Sequence, residues 1–215
     1  MRMYKTKNTW RIVGDTLVLL DCHGVEIYCP AASAPYVLQY TWHIQYQHKN
    51  GKVQRVATTI ADTGSGRTTL FLHRLIMENV PHRPDQTEID HIDGNPLNNR
   101  LDNLRWATCS VNNQNTRDAQ GNPRRGVSYE KRNRWRPWYA RIYVDGKKVG
   151  SEFFLTAREA EDQYLIWKRQ YHPETPEVWY EQYAACQASG YWDAPAPTNS
   201  SAPAPATLFE SMESR

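Results

Sequence analysis

An α+β fold built from several small units is predicted by three observations. Residues 88–117 read as strand, loop, strand and short helix; residues 125–172 read as three strands and a longer helix; and the first 69 residues are dominated by alternating strand patterns. The 215 residues and 40% apolar content suffice for about two modest cores. The expected order is a small N-terminal β-rich lobe over 1–69, a β-β-α core over 70–120, a three-stranded antiparallel sheet plus helix over 122–173, and a disordered Ala/Pro-rich tail over 193–215.

In the N-terminal lobe, Trp10 to Leu20 and Gly24 to Tyr28 alternate as strands do, and Pro35 to His48 is an aromatic run centred on Trp42. Asn50-Gly51 suits a tight hairpin turn leading into Val53–Ile60, because both residues tolerate the positive φ such a turn demands. Thr63-Gly64-Ser65-Gly66-Arg67 is a flexible connector that lacks the lysine and spacing of a phosphate-cradling loop. Leu70 to Met77 has helical apolar spacing, and His73 within it is expected to be a core or hydrogen-bonded structural histidine.

Glu88 to Ile92 is a short alternating run that Asp93-Gly94 and Asn95-Pro96 must end, since these pairs favour turns. Leu104 to Ala107 reads as the second strand. Thr108 or Ser110 can cap a short helix through Arg117, which puts Asn112 and Asn113 in its first turn. Hydrolysing a phosphodiester needs a hard cation on the phosphate, a base to deprotonate water, and a group that holds the base in the right tautomer. Asp90 offers a carboxylate oxygen, His91 an imidazole, Asn103 an amide able to fix the imidazole, and Asn112 a second oxygen ligand. The stretch therefore reads as a one-metal nuclease site. Asp93, Asn95, Asn98 and Asn99 read as turn residues that bond their own backbone.

The run Asp-His-Ile-Asp-Gly-Asn at 90–95, followed by Asn-Asn-Arg-Leu-Asp-Asn-Leu-Arg at 98–105, resembles the H-N-H nuclease family, in particular its phage and intron-encoded homing-type branch. The resemblance spans roughly Leu70 to Arg117 and implies a β-β-α-metal core. It implies that His91 is the general base, Asn103 the middle Asn of the motif, and Asp90 with Asn112 the metal ligands. The third motif position is Asn rather than His, which leaves the adjacent Asn113 as an alternative ligand.

The formal net charge of +3 hides an asymmetry. Residues 100–150 hold 12 Lys/Arg against 4 Asp/Glu, whereas residues 151–215 hold 4 against 10. A basic block beside such a motif is the electrostatic footprint of a phosphate-binding face. Within it Arg125–Tyr129 and Trp138–Val144 read as strands, Asp145-Gly146 as a hairpin turn to a third strand, and Thr156-Ala157-Arg158-Glu159 as a capping box opening a helix that Pro173 stops. Trp138, Phe153 and Phe154 are expected in the sheet core.

Arg-Gly-Val at 125–127, Trp-Tyr-Ala-Arg-Ile at 138–142, Asp-Gly-Lys-Lys at 145–148 and Phe-Leu-Thr-Ala-Arg-Glu-Ala at 154–160 resemble the DNA-binding domain of the ethylene-response-factor type. That resemblance implies that the exposed sheet face enters the major groove. By position it points to Arg125, Arg141, Tyr143 and Lys148, with Arg132, Arg134 and Arg136 as phosphate contacts. Glu152 stands where the family usually has Gly, so a carboxylate near the third strand could weaken the groove contact or accept from a cytosine amino group.

Cys22, Cys29, Cys109 and Cys186 form no C-x-x-C pair, so structural zinc is not expected and the cysteines read as small buried apolar residues. No signal-peptide pattern or membrane-length apolar run is present, which points to a cytoplasmic setting, that of the host if the chain is phage-encoded. The function expected is a phage or mobile-element DNA endonuclease. It would use magnesium or manganese, given oxygen-only ligands, with double-stranded DNA as partner and no small-molecule cofactor. No heptad advertises a stable dimer, so a monomer or weak dimer is expected. The alternatives are a DNA-binding regulator with a vestigial nuclease core and a structure-selective nuclease.

Overall fold

A computed structural model describes residues 6–49, 52–62, 66–118 and 121–193. The chain opens with an antiparallel meander of β1 (Thr9–Val13), β2 (Thr16–Leu20) and β3 (Glu26–Pro30). The Trp10–Leu20 run is thus two strands, joined by a two-residue turn at Gly14-Asp15, with Gly14 at φ +56. Leu17, Leu19, Ile27 and Cys29 are fully buried. The aromatic run expected over Pro35–His48 also divides: α1 (Ala34–Val37) comes first, then the buried Trp42, whose Nε1 donates to the Val37 carbonyl at 2.9 Å, then β4 (His43–Lys49).

β4 pairs with β5 (Lys52–Asp62), and β5 with β6 (Arg67–Phe71), in a second antiparallel sheet. The expected Asn50-Gly51 turn and most of the Thr63–Arg67 connector lie outside the described residues. β6 runs directly into α2 (Leu72–Met77), so Leu70 and Phe71, expected in the helix, instead finish a strand. Then come β7 (Glu88–His91), β8 (Leu104–Ala107) and α3 (Cys109–Gln114), an antiparallel pair followed by a short helix. Thr108 caps α3 by accepting from Val111 N at 3.2 Å, and the helix stops at Gln114 rather than continuing to Arg117.

The expected division at residue 69 is not a packing boundary. Leu17, Leu19, Ile27 and Trp42 share one buried cluster with Leu72, Met77, Leu97 and Leu104. A ββα unit of this size has too little apolar surface to bury alone, so the N-terminal strands supply the rest of its core. β3 also holds the loop between β7 and β8 directly: Tyr28 N donates to Leu97 O at 2.9 Å, and Asn99 N to Tyr28 O at 2.7 Å.

The third three-stranded sheet is β9 (Val127–Tyr129), β10 (Trp138–Val144) and β11 (Lys147–Phe154), with β10 central. Asp145 and Gly146 both take positive φ, +47 and +78, as a two-residue hairpin requires. The capping box at Thr156 and Glu159 opens α4 (Ala157–Tyr171). A second helix, α5 (Glu177–Ala188), was not expected, and it moves the end of this unit from residue 173 past 188. Its Trp179 and Tyr183 are fully buried and share a core with Ala140, Ile142, Ala160 and Tyr164.

Trp138 and Phe154 pack against this core as expected, but Phe153 lies across from Tyr139 with ring centroids 4.6 Å apart. Cys29 and Cys186 are buried, whereas Cys22 and Cys109 are exposed. The tail from residue 194 lies outside the described residues, and among these no helix is long and apolar enough to cross a membrane.

Candidate functional site

Antiparallel pairing sets Asp90 opposite Arg105 and His91 opposite Leu104 at the end of the β7–β8 ribbon. Asp90 is only 5% exposed. Its Oδ2 accepts from Arg105 Nε at 3.0 Å, with Nη2 of the same guanidinium 2.9 Å away, and its Oδ1 accepts from Asn115 Nδ2 at 3.0 Å. A carboxylate buried this deeply needs such partners to replace the water it has lost. An ionised carboxylate has about four acceptor positions, so these contacts leave Oδ1 able to bind one more ligand.

The imidazole of His91 is largely enclosed. Its Nε2 lies 3.3 Å from Asn99 Oδ1, and its ring meets the edge of His73 at a centroid distance of 5.5 Å. Burial pushes the His91 pKa below the ordinary imidazole value, against the opposing effects of the Asn99 hydrogen bond and the charges of Asp93 and Asp90. Burial thus favours the neutral form of the ring. His73 is pushed down to about 3 by burial, then by His91 and Arg74; its neighbours are the rings of Phe71 and His91, so it is a packing histidine.

Asn103 does not touch the imidazole, contrary to the expectation that it orients the ring. Its Oδ1 accepts from Asp93 N at 2.9 Å, and its Nδ2 donates to Asp93 Oδ1 at 2.9 Å and to Asn98 O at 2.8 Å. It staples the 93–98 loop to the start of β8. The expected Asx turns form at Asp93 and Asn95, whose Oδ1 atoms accept from backbone N–H groups two residues on. Asn98 departs from that expectation, since its Nδ2 donates to Asp93 Oδ2 at 2.8 Å, and Asn99 meets it only in part: its Nδ2 donates to Leu97 O at 3.1 Å while its Oδ1 turns to His91. Asn99 has no distinguishing sequence signal among the neighbouring Asn residues; only the pairing with β3 aims it. Gly94, at φ +75, is required here, because a Cβ would lie 2.5 Å from Arg117 Nε.

α3 packs on β7 and brings Asn112 beside the ribbon. The Asn112 amide is half-buried and makes no hydrogen bond, while Asn113 is exposed, with Nδ2 3.6 Å from Cys109 Sγ. The amide that reaches Asp90 belongs to Asn115, just after the helix; it also donates to His91 O at 2.9 Å. Its Oδ1 accepts from Arg117 Nη2 at 3.0 Å, so Asn115 faces Asp90 as a donor. Among the described residues no three His, Cys, Asp or Glu side chains gather as a metal cluster. The donors that could hold a cation are Asp90 Oδ1 and the unclaimed oxygen of Asn112. Such a sparse, all-oxygen set fits a hard divalent ion that retains waters and takes phosphate oxygens.

On the third sheet, Ala140 and Ile142 are buried beneath α4 and α5, and Arg141 and Tyr143 alternate to the exposed face. Lys148, opposite Tyr143, is exposed, as are Arg132, Arg134 and Arg136 in the β9–β10 loop. Arg125 is not available to a partner. Its side chain is 15% exposed, pairs with Glu161 and Asp193, and stacks on Trp138 at 4.9 Å. Glu152 lies opposite Ala140 in register, so it belongs with the helix-side residues and not beside Arg141 on the outer face.

The HNH endonuclease family model matches residues 70–114, which include the β7–β8 ribbon and α3. Protein 3.8 of Escherichia phage T7 is 40% identical over 92 residues, covering 37% of this chain and 74% of that protein. No solved structure matches. With Asp90, His91, Asn103 and Asn112 all inside the matched segment, the chain belongs to the family of phage T7 Protein 3.8 and carries an HNH endonuclease domain.

Proposed function

We infer that this protein is a metal-dependent DNA endonuclease of phage or mobile-element type, guided by its C-terminal sheet. The observation that carries the reading is the enclosed His91 imidazole, its Nε2 on Asn99 Oδ1, beside the buried Asp90 carboxylate and inside the segment that the HNH endonuclease model matches. With Nε2 facing the Asn99 carbonyl oxygen, that nitrogen carries the proton and Nδ1 holds the lone pair. Nδ1 then accepts the proton of the attacking water, and Asn99 stabilises the imidazolium that forms. Asn103 keeps the loop in the shape that aims Asn99. Asp90 and Asn112 would hold magnesium or manganese, which supplies charge neutralisation at the phosphate and the leaving 3′-oxygen. Arg141, Tyr143 and Lys148 are suited to groove contacts, and Arg132, Arg134 and Arg136 to phosphate contacts.

The Arg105 clamp on Asp90 favours one competing reading, a DNA-binding protein whose nuclease core no longer cuts, because the guanidinium already neutralises the carboxylate. Incubating purified protein with supercoiled, linear and single-stranded DNA, with and without magnesium or manganese, separates the readings. Metal-dependent cutting that His91→Ala removes supports the nuclease. DNA binding without cutting under any metal sinks it.

A further inference from the structure

The catalytic and recognition units are joined by a built interface. Lys168 Nζ, buried in α4, donates to Gln114 O at 2.7 Å. Trp179 Nε1 donates to Thr116 O at 3.2 Å, and Arg105 Nη1 to Glu174 O at 2.9 Å. Arg105 thus touches both Asp90 and the turn between α4 and α5. These bonds leave a cleft of about 540 Å³ between α3 and the β9–β10 strands. One wall carries Asn113 and Thr116, the other Ser128 and Arg141, and Arg124 stands at the junction of the two units.

The chemistry of this cleft selects its occupant. Among the described residues the exposed Arg124 makes no ion pair and Arg141 has no acidic partner, its guanidinium lying 6.0 Å from the Tyr139 ring. The carboxylate on the wall, Asp145, is held by Ser110 Oγ at 2.7 Å. Hydroxyls and amides of Ser110, Asn113, Gln114, Thr116 and Ser128 line much of the rest, beside the apolar Val127, Ile142 and Val144 and the His172 imidazole. Two guanidiniums against one carboxylate leave the cleft with an excess of positive charge among hydrogen-bonding groups, which suits a phosphodiester chain better than a cationic ligand. The volume lies within the roughly 300–1,000 Å³ of pockets that enclose a drug-sized molecule, so it takes a nucleotide-sized length of one backbone and not a whole duplex.

We propose that the cleft between α3 and the β9–β10 strands holds the backbone of one DNA strand between the sequence read by the sheet and the phosphate cut at His91, with Arg124 as its phosphate contact. Because hydrogen bonds on both walls fix the two units, the cleft sets the number of nucleotides between recognition and cleavage. The inference rests on the nuclease reading above.

The test uses full-length protein and a duplex whose cut position is mapped. Single phosphates between the cut and the sheet's footprint are replaced one at a time by neutral methylphosphonate, and binding is measured without metal for wild type, Arg124→Ala and, as a control on α4, Arg158→Ala. One or two positions are expected to cost wild type about tenfold in affinity, the scale of one charge-assisted hydrogen bond, and to cost Arg124→Ala almost nothing. Arg158→Ala should behave as wild type. If the wild type cuts the duplex but every phosphate and Arg124→Ala act additively, the cleft assignment is overturned while the nuclease stands. If the wild type neither binds nor cuts duplex DNA, the nuclease reading fails and takes the cleft with it.

Discussion

Asn99 Oδ1 lies 3.3 Å from His91 Nε2, and the backbone N of the same asparagine is held 2.7 Å from Tyr28 O on β3. The N-terminal lobe thereby reaches the imidazole through a single residue. A strand whose Tyr28 lies 63 residues before His91 thus helps aim the amide oxygen that faces the ring.

Removing the Asn99 amide should therefore lower kcat and spare DNA affinity. Asn99→Ala is expected to cost about 10- to 100-fold in cleavage, the range for a group that orients a functional ligand. His91→Ala should cost about 100- to 10,000-fold. The double variant should be little worse than His91→Ala alone, because the two residues act as a unit. Single-turnover cleavage rates check this, with circular dichroism to confirm folding; additive losses would separate Asn99 from the base.

Asn112 and Asn115 should fail in different ways. Asn112→Ala is expected to weaken manganese affinity and abolish metal-dependent cutting, and manganese should partly rescue Asn112→Asp, which keeps an oxygen and adds charge. Asn115→Ala should chiefly destabilise the fold by freeing one side of the buried Asp90. Manganese titration followed by electron paramagnetic resonance distinguishes them. Intact metal binding in folded Asn112→Ala, with loss in folded Asn115→Ala, would move the ligand to Asn115.

Two arginines of the basic block should also part company. Arg125→Ala is expected to lower the unfolding midpoint, since it strips partners from the nearly buried Glu161. Arg134→Ala, on an exposed loop, should weaken binding to all sequences alike and reduce the salt slope by about one. Affinity measured across a salt series, beside thermal melts, reads both. An unchanged slope in Arg134→Ala would remove it from the phosphate contacts.

Burial of Lys168 pushes its pKa from 10.5 down to about 7, with the charge of Arg117 adding to the effect. Between pH 7 and pH 10 the unfolded chain then binds a proton that the folded chain has released, so this group makes stability rise with pH across that window. Below pH 7 both states are protonated and the cost of burying the charge is fully present. Wild type should gain stability relative to Lys168→Met as pH rises from about 7 to 10. Parallel melting curves for the two proteins would sink the assignment.

Trp179→Ala should destabilise the C-terminal unit by about 3–5 kcal/mol, the usual cost of emptying a buried indole site. Guanidinium unfolding of the two proteins tests this. A loss under about 1 kcal/mol would mean that α5 is not part of this core.

Local chemistry was legible in the chain wherever neighbours in sequence decide it. The β7–β8–α3 order, the Asp145-Gly146 hairpin and the Thr156 capping box each follow from a few adjacent residues with narrow backbone preferences. Even α5 left a trace, since Trp179, Tyr183 and Cys186 are spaced to share one helical face.

What the sequence by itself determined is the composition of the site: a carboxylate, an imidazole and a set of asparagines within one short motif, beside a basic block. Only the tertiary structure decided which asparagine does what. Asn98, Asn99, Asn103 and Asn115 have the same amide, and their tasks differ because β3, the loop and the end of α3 aim them at different partners. Likewise Arg125 and Arg141 carry the same charge, yet one is spent on a buried carboxylate and the other faces solvent. Hydrogen bonds between residues distant in sequence depend on orientation to a few tenths of an ångström, and that orientation exists only once the two cores have formed and docked.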